Sequence, residues 1–166
     1  MWYRYVLAVL ASLYFLSITQ HPEAWHFLDN IDLVIHEAGH IVFIPFGTFM
    51  TILGGSLFQI LVPTVFFLYF AFKKDWFAAS LILFWVSENV LNVSVYAGDA
   101  IAMQLPLLGG DGVIHDWNAL LSMTNTLKYT PIIGKSIYGC GFILTLLAVA
   151  GSFIFAGNRK DPLRHA

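Results

Sequence analysis

The sequence predicts an all-α protein, a polytopic helical bundle in a membrane with about five transmembrane segments. Of its 166 residues, 58% are hydrophobic and only 11% are charged, whereas about a quarter of the residues in a soluble domain are charged. The apolar residues lie in long runs, and crossing the hydrocarbon layer takes about 20 mostly apolar residues per helix. The chain length therefore suits four or five helices surrounded by a lipid bilayer.

Five apolar runs define the expected helices in chain order. The linker between the first two is polar and contains Pro22, and a charged turn at 73–75 separates the third from the fourth. The long segment 105–130 precedes the last one. The expected spans are residues 3–18, 31–46, 49–72, 76–104 and 132–156. No internal repeat is visible, so residues 1–166 are expected to form a single integral membrane domain.

The first run follows one early cation, Arg4, and resembles the apolar region of a signal peptide. No A-x-A cleavage pattern follows it, so we expect a retained helix, with a cleaved signal as the alternative. If five spans alternate, most cations fall on one side: Lys73, Lys74, Arg159, Lys160 and Arg164. This bias favours an outside N-terminus. The absence of a eukaryotic targeting motif favours a bacterial cytoplasmic (inner) membrane.

Charge and cysteine content exclude two classes of function. The formal net charge is -2 without a basic block, so a nucleic-acid partner has no electrostatic support. The single cysteine, Cys140, lies in an apolar run. It rules out an internal disulfide and a CxxC metal site.

The clearest chemical signal is an HExxH motif at residues 36–40. His36 and His40 are four residues apart, so they share one helix face and can hold a single Zn²⁺. Glu37 lies about a quarter-turn away, where its carboxylate can reach a metal-bound water and act as general base. Gly39 is expected to leave room for a substrate backbone. Ionisable groups inside an apolar run are costly in lipid, which indicates a functional role.

With this motif inside an apolar helix, the chain resembles the membrane-embedded zinc metallopeptidases of the site-2 protease type. The resemblance implies that His36 and His40 ligate zinc and that Glu37 is the catalytic base. It also implies a third ligand, an aspartate in a later N-x-x-P-x-x-x-x-D-G segment. The segment 54–59, which begins with two glycines, resembles the family's glycine-rich start of the next helix.

Three residues are candidates for this third ligand. Asp111 has the family's spacing from Pro106 and precedes a glycine, although Met103 replaces the asparagine. Asp99 follows Asn92 in a similar position, without the proline and with Ala100 in place of the glycine.

Asp99 also ends a polar stripe of the fourth helix, which is expected to face the protein interior: Glu88, Asn92, Tyr96 and Asp99. In the functional interpretation, Asp99 completes the zinc site and the rest of the stripe orients ligands or substrate. In the structural interpretation, the stripe forms hydrogen bonds between helices that hold the bundle together. Asp99 lies late in its helix and the motif histidines lie early in theirs, so parallel spans would separate them in depth. A re-entrant break between 45 and 55 would reconcile them.

His115 is the third candidate, in the loop before the last span, and it would also resolve the difference in depth. A histidine is chemically a good zinc ligand, and the alternative is a solvated loop histidine. Asp116 is interpreted as an acceptor for an imidazole or as the N-cap of a helix that starts at Trp117.

These observations predict a zinc-dependent intramembrane metallopeptidase whose substrate is a membrane protein or peptide. The alternative is a non-enzymatic membrane protein in which the same residues hold a structural or transported metal ion. A closed site with four protein ligands would favour the alternative, because catalytic zinc keeps one position open for water.

Overall fold

The computed structural model describes residues 2–105 and 114–158, and these residues form helices joined by turns and short linkers. The predicted all-α membrane bundle is confirmed. In chain order the elements are α1 (Trp2–Gln20), α2 (Asp29–Phe43), a 3-10 turn (Ile44–Phe46), α3 (Thr48–Phe72), α4 (Trp76–Gly98), α5 (Asp116–Met123), a second 3-10 turn (Leu127–Tyr129) and α6 (Thr130–Ala156).

Four of the described helical segments are long and apolar enough to cross a membrane: Trp2–Gln20, Thr48–Phe72, Trp76–Gly98 and Leu127–Ala156. The expected span at 31–46 corresponds to α2, which has 15 residues. At about 1.5 Å per residue, α2 extends about 22 Å, short of the roughly 30 Å hydrocarbon layer. The helix that carries the HExxH motif therefore packs within the bundle without the length of a full span.

Helix α4 lies at the centre of the bundle. In its apolar stretch 61% of residues are buried, against 28% or less in the other three candidate spans. It packs against α6, α3 and α1, and α2 packs along α3 while the start of α2 reaches polar side chains of α4. Close approach of α6 depends on small residues, because a Cβ atom at Gly141 would lie 2.8 Å from Leu91 Cγ. The polar side chains of α4 therefore face partners inside the bundle.

The turn between α2 and α3 brings these helices together as antiparallel neighbours. Gly47 has a φ of 88°, a conformation that glycine adopts without steric cost. Further along, a Cβ atom at Gly54 would lie 2.8 Å from the carbonyl oxygen of Gly39. Gly39 therefore serves the contact between the two backbones, whereas the sequence suggested that it leaves room for substrate. The break in the chain lies at 44–47, and the glycine pair at 54–55 lies inside α3.

Candidate metal centre

Two motif histidines and one aspartate meet where α2, α3 and α5 come together. His36 Nε2 lies 3.1 Å from Asp116 Oδ2, and His40 Nε2 lies 3.3 Å from the same oxygen. The ligand atoms of all three residues lie within 4.8 Å of one another. We call this group the histidine cluster. It places two imidazole nitrogens and one carboxylate oxygen around a common point.

The separations in the histidine cluster are compatible with one tetrahedral metal ion. Zinc lies about 2.0–2.2 Å from nitrogen and oxygen ligands, so neighbouring ligand atoms of a tetrahedral site are about 3.3 Å apart. The observed 3.1 and 3.3 Å match that spacing. They are longer than the roughly 2.7–2.9 Å of a charge-assisted hydrogen bond. Imidazole and carboxylate are also ligand types that zinc takes.

Helix α3 orients both imidazole rings through their outer nitrogens. His40 Nδ1 lies 2.8 Å from the carbonyl oxygen of Thr51, and His36 Nδ1 lies 3.0 Å from Gln59 Oε1. A carbonyl oxygen only accepts hydrogen bonds, so each Nδ1 donates and each Nε2 is the nitrogen that can ligate a metal. The two rings therefore present their free nitrogens to the same point.

The glycine pair of α3 provides the room that this arrangement needs. A Cβ atom at Gly55 would lie 2.7 Å from His40 Nε2 and closer still to His36 Nε2. Any larger residue would occupy the space of the two ligating nitrogens. The two glycines at the start of segment 54–59 are therefore needed for steric reasons. Gly54 leaves space for the backbone of α2, and Gly55 leaves space for the two imidazoles.

Asp116 is the first residue of α5, and hydrogen bonds hold this helix end in place. The backbone N–H of Asp116 donates to the Tyr96 hydroxyl at 3.0 Å. Trp117 Nε1 donates to Ser56 Oγ at 3.1 Å, and Asn118 Nδ2 donates to the carbonyl oxygen of Ala100 at 2.8 Å. Helix α5 is therefore attached to α3, to α4 and to the segment that follows α4.

The structure does not bring Asp99 or His115 to the motif histidines. Asp99 lies just after α4, where its carboxylate accepts from the backbone N–H groups of Gln104 and Leu105 at 3.0 and 2.9 Å. His115 Nε2 lies 3.3 Å from Asp99 Oδ2, and His115 Nδ1 accepts from the N–H of Asn118 as the cap of α5. Both residues thus position the segment that carries Asp116.

The third candidate, Asp111, lies outside the described residues. Among those described, Asp116 takes the third position, in agreement with its interpretation as an acceptor for an imidazole. The cap of α5 is His115, not Asp116.

Asp116 and the histidines shift each other's proton affinity. The hydrogen bond from His40 to Asp116 raises the pKa of His40 to about 9. Burial alone would raise the pKa of Asp116, but its hydrogen bonds with His36 and His40 outweigh burial and lower that pKa. Without a metal ion, His40 is therefore protonated at neutral pH, and a metal ion must displace that proton.

A cavity of about 790 Å³ opens beside the histidine cluster. Glu37 is exposed and lines it together with His36, His40 and Asp116. Much of the remaining wall is apolar and includes Trp25, Leu33, Val95 and Ile114. The glutamate of the motif thus shares one cavity with the three candidate ligands.

A second polar group lies deeper, at the start of α2. Asp29, Asp32 and Glu88 are buried, and their carboxylates lie within 4.8 Å of one another. We call this group the carboxylate cluster. Trp85 Nε1 donates to Asp32 Oδ1 at 2.8 Å, and burial raises the pKa of Asp32. Glu88 belongs to the polar stripe that the sequence predicts for the fourth helix, but neither aspartate was predicted to be buried. Their i, i+3 spacing beside an apolar run could have indicated that they share one helix face.

Two amide side chains connect the clusters. Gln59 Nε2 donates to Asn92 Oδ1 at 3.0 Å, and Asn92 Nδ2 donates to Asp29 Oδ1 at 3.0 Å. Since Gln59 also contacts His36, a continuous hydrogen-bonded path leads from the carboxylate cluster to the histidine cluster. The predicted polar stripe of α4 therefore serves several sites along its length.

No family model, curated protein or solved structure matches this chain.

Proposed function

We propose that this protein is a zinc-dependent intramembrane metallopeptidase that hydrolyses a peptide bond in or beside the lipid bilayer. The observation that carries the proposal is the convergence of His36, His40 and Asp116 at one end of a cavity that Glu37 also lines. The bundle of apolar helices supports a membrane location. We propose that this membrane is the bacterial cytoplasmic membrane.

The roles of the residues follow from their donor atoms. His36, His40 and Asp116 would hold the ion through three protein ligands, the number that catalytic zinc usually has beside its bound water. When bound, zinc polarises the scissile carbonyl and lowers the pKa of a water molecule. Glu37 takes a proton from the attacking water and returns it to the leaving amine.

The shape and lining of the cavity favour a membrane protein or peptide as substrate. Its volume of about 790 Å³ lies within the usual range for ligand sites, roughly 300–1,000 Å³. Apolar side chains such as Leu33, Val95 and Ile114 suit the apolar residues of a membrane-embedded segment. A few residues on either side of a scissile bond fit such a space.

The alternative is a non-enzymatic protein that holds or transports a metal ion. Asp29 and Asp32 line the same cavity as the histidine cluster, and this continuity of acidic groups favours passage of a cation. A purely structural ion usually has four protein ligands, whereas the histidine cluster supplies three. Zinc flux into proteoliposomes without peptide cleavage would support transport over hydrolysis.

The first experiment compares metal content and peptide cleavage in detergent-purified protein. Wild type should carry near-stoichiometric zinc, and His36→Ala should lose it. Glu37→Gln should keep the zinc and lose cleavage of a peptide from an apolar membrane segment, because its amide cannot accept the proton. Cleavage retained in Glu37→Gln would overturn the catalytic role, and a wild type that takes up no zinc would overturn the metal centre.

A further inference from the structure

The two motif histidines are oriented by different means. His40 donates to a backbone carbonyl oxygen, which no side-chain substitution at Thr51 removes. His36 faces the side chain of Gln59, whose terminal oxygen and nitrogen can exchange places by a flip of the amide. If the amide nitrogen faced His36 Nδ1, the imidazole would carry its proton on Nε2, towards the metal position.

Asp29 determines which way the amides point. Its carboxylate only accepts hydrogen bonds, one from Asn92 Nδ2 and one from the backbone N–H of His26. Asn92 must then present its oxygen to Gln59, which donates to it. Gln59 in turn presents its oxygen to His36 Nδ1. Each step leaves only one orientation for the next side chain.

We infer that Asp29, Asn92 and Gln59 are positioning residues that hold His36 in the tautomer able to bind a metal ion through Nε2. The inference rests on the proposed metal centre and adds to it three residues that do not touch the ion. Amide groups orient a neighbour but do not readily pass a proton along, so the path fixes an orientation and is not a proton wire.

Moving the single carboxylate along this path tests the inference. In Asp29→Asn, the backbone N–H of His26 requires the new amide oxygen, so the NH₂ group faces Asn92. Asn92 and Gln59 then flip, and Gln59 presents its nitrogen to His36. We expect zinc affinity to fall about 10- to 100-fold, the usual effect of losing an outer-sphere partner of a ligating histidine.

Two double variants should restore binding without changing the net charge from wild type. In Asp29→Asn with Asn92→Asp, the carboxylate at position 92 accepts from both neighbours, and Gln59 keeps its original orientation. In Asp29→Asn with Gln59→Glu, the carboxylate at position 59 accepts from His36 directly. Both should return zinc affinity to within about twofold of wild type, the usual error of additivity.

Affinity is measured by competition with a chelator for Zn²⁺, and the absorption spectrum of bound Co²⁺ reports the ligand geometry. Asp32→Asn is the matched control, because it alters a neighbouring buried carboxyl group that makes none of the hydrogen bonds of the path, and it should bind as wild type. If Asp29→Asn does not fold, the two double variants carry the test.

The outcomes separate this inference from the proposed function. Wild-type affinity in Asp29→Asn, or failure of both double variants to bind, would overturn the positioning path and leave the metal centre standing. A wild-type protein that binds neither Zn²⁺ nor Co²⁺ would overturn both.

Discussion

The histidine cluster and the carboxylate cluster share helix α2, where their residues lie about one turn apart, yet they meet the cost of burial differently. Asp116 of α5 completes the first cluster and Glu88 of α4 completes the second. The histidine cluster combines bases with an acid, so a proton or a metal ion balances its charge. The carboxylate cluster contains only acids, and neutral donors such as the Trp85 indole and the Asn92 amide bind it. Since a buried charge without a counter-charge is costly, burial raises the pKa of Asp32.

This difference indicates that the polar residues at the two positions along α2 have different roles. The histidine cluster lines a cavity that it shares with Glu37, as the proposed metal centre requires. The carboxylate cluster supplies a fixed hydrogen-bond acceptor, Asp29, from which the orientation of His36 is set. Substitutions at the first cluster should therefore change metal binding directly, and most substitutions at the second should change stability.

The largest effect is expected from Gly55→Ala. The added methyl group would lie 2.7 Å from His40 Nε2, so the imidazoles cannot converge and zinc binding should be lost. Overpacking typically also costs about 1–3 kcal/mol of stability. Zinc content and thermal unfolding in detergent measure the two effects.

Gly139→Ala in α6 is the matched control, since a Cβ atom there meets nothing within 4 Å. It should bind zinc as wild type does. Normal zinc content in Gly55→Ala would mean that the ligating nitrogens do not meet beside α3.

A comparison of Asp116→Asn with Asp99→Asn tests which of the two aspartates is the third metal ligand and which only holds the neighbouring segment in place. Asp116→Asn removes a charged ligand and should weaken zinc binding about 100-fold, equivalent to about 2.8 kcal/mol. Asp99→Asn leaves all three candidate ligands in place and disturbs the contacts of position 99 with His115 and with the backbone N–H groups that follow α4, so a loss of at most about 10-fold is expected. The reverse order, measured by chelator competition, would assign the ligand to Asp99.

The convergence of His36 and His40 and the helical class followed from sequence because both depend on local spacing. A separation of four positions places the two histidines on one helix face wherever the helix lies. The third ligand depends on tertiary structure. His115 and Asp116 are adjacent, and only the start of α5 decides that Asp116 faces the histidines while His115 turns to Asp99.

The length of α2 and the burial of the carboxylate cluster could not be predicted from local residue spacing either. The run 31–46 is apolar enough to suggest a span, but its helix ends at Phe43 before Pro45 and Gly47 reverse the chain. In sequence, Asp29 belongs to a polar linker and Asp32 to the start of an apolar run, and α4 packs its own polar residues, including Glu88, against both.

Asp32→Asn tests the carboxylate cluster by raising stability. Asp32 Oδ2 has no hydrogen-bond partner among the described residues, and an amide there would donate to the side chain of Glu88, which lies outside the positioning path. One added hydrogen bond contributes about 1 kcal/mol, which corresponds to a rise in Tm of about 2–4 °C in a chain of this size. Zinc affinity should not change.

The pH dependence of stability checks the same substitution. Because folding raises the pKa of Asp32, the folded state binds the proton more tightly than the unfolded state. This favours folding at low pH, and the benefit is lost as pH rises from the ordinary value of about 3.9 through the raised pKa. Asp32→Asn should flatten that decline in Tm. An unchanged pH profile would mean that the pKa of Asp32 is the same in the folded and unfolded protein.

The smallest effect is expected from Tyr96→Phe, because it changes only how firmly the end of α5 is held. The Tyr96 hydroxyl accepts from the N–H of Asp116 at 3.0 Å, and this first-turn N–H has no partner inside its own helix. Losing the bond costs about 1 kcal/mol, which corresponds to about a fivefold loss of zinc affinity. Tyr138→Phe removes a similar bond to the Thr19 carbonyl in another part of the bundle and should lower Tm without changing affinity. Equal losses of affinity in both variants would show that zinc binding follows the stability of the whole bundle. The hydrogen bond from Asp116 to Tyr96 would then have no local effect on the histidine cluster.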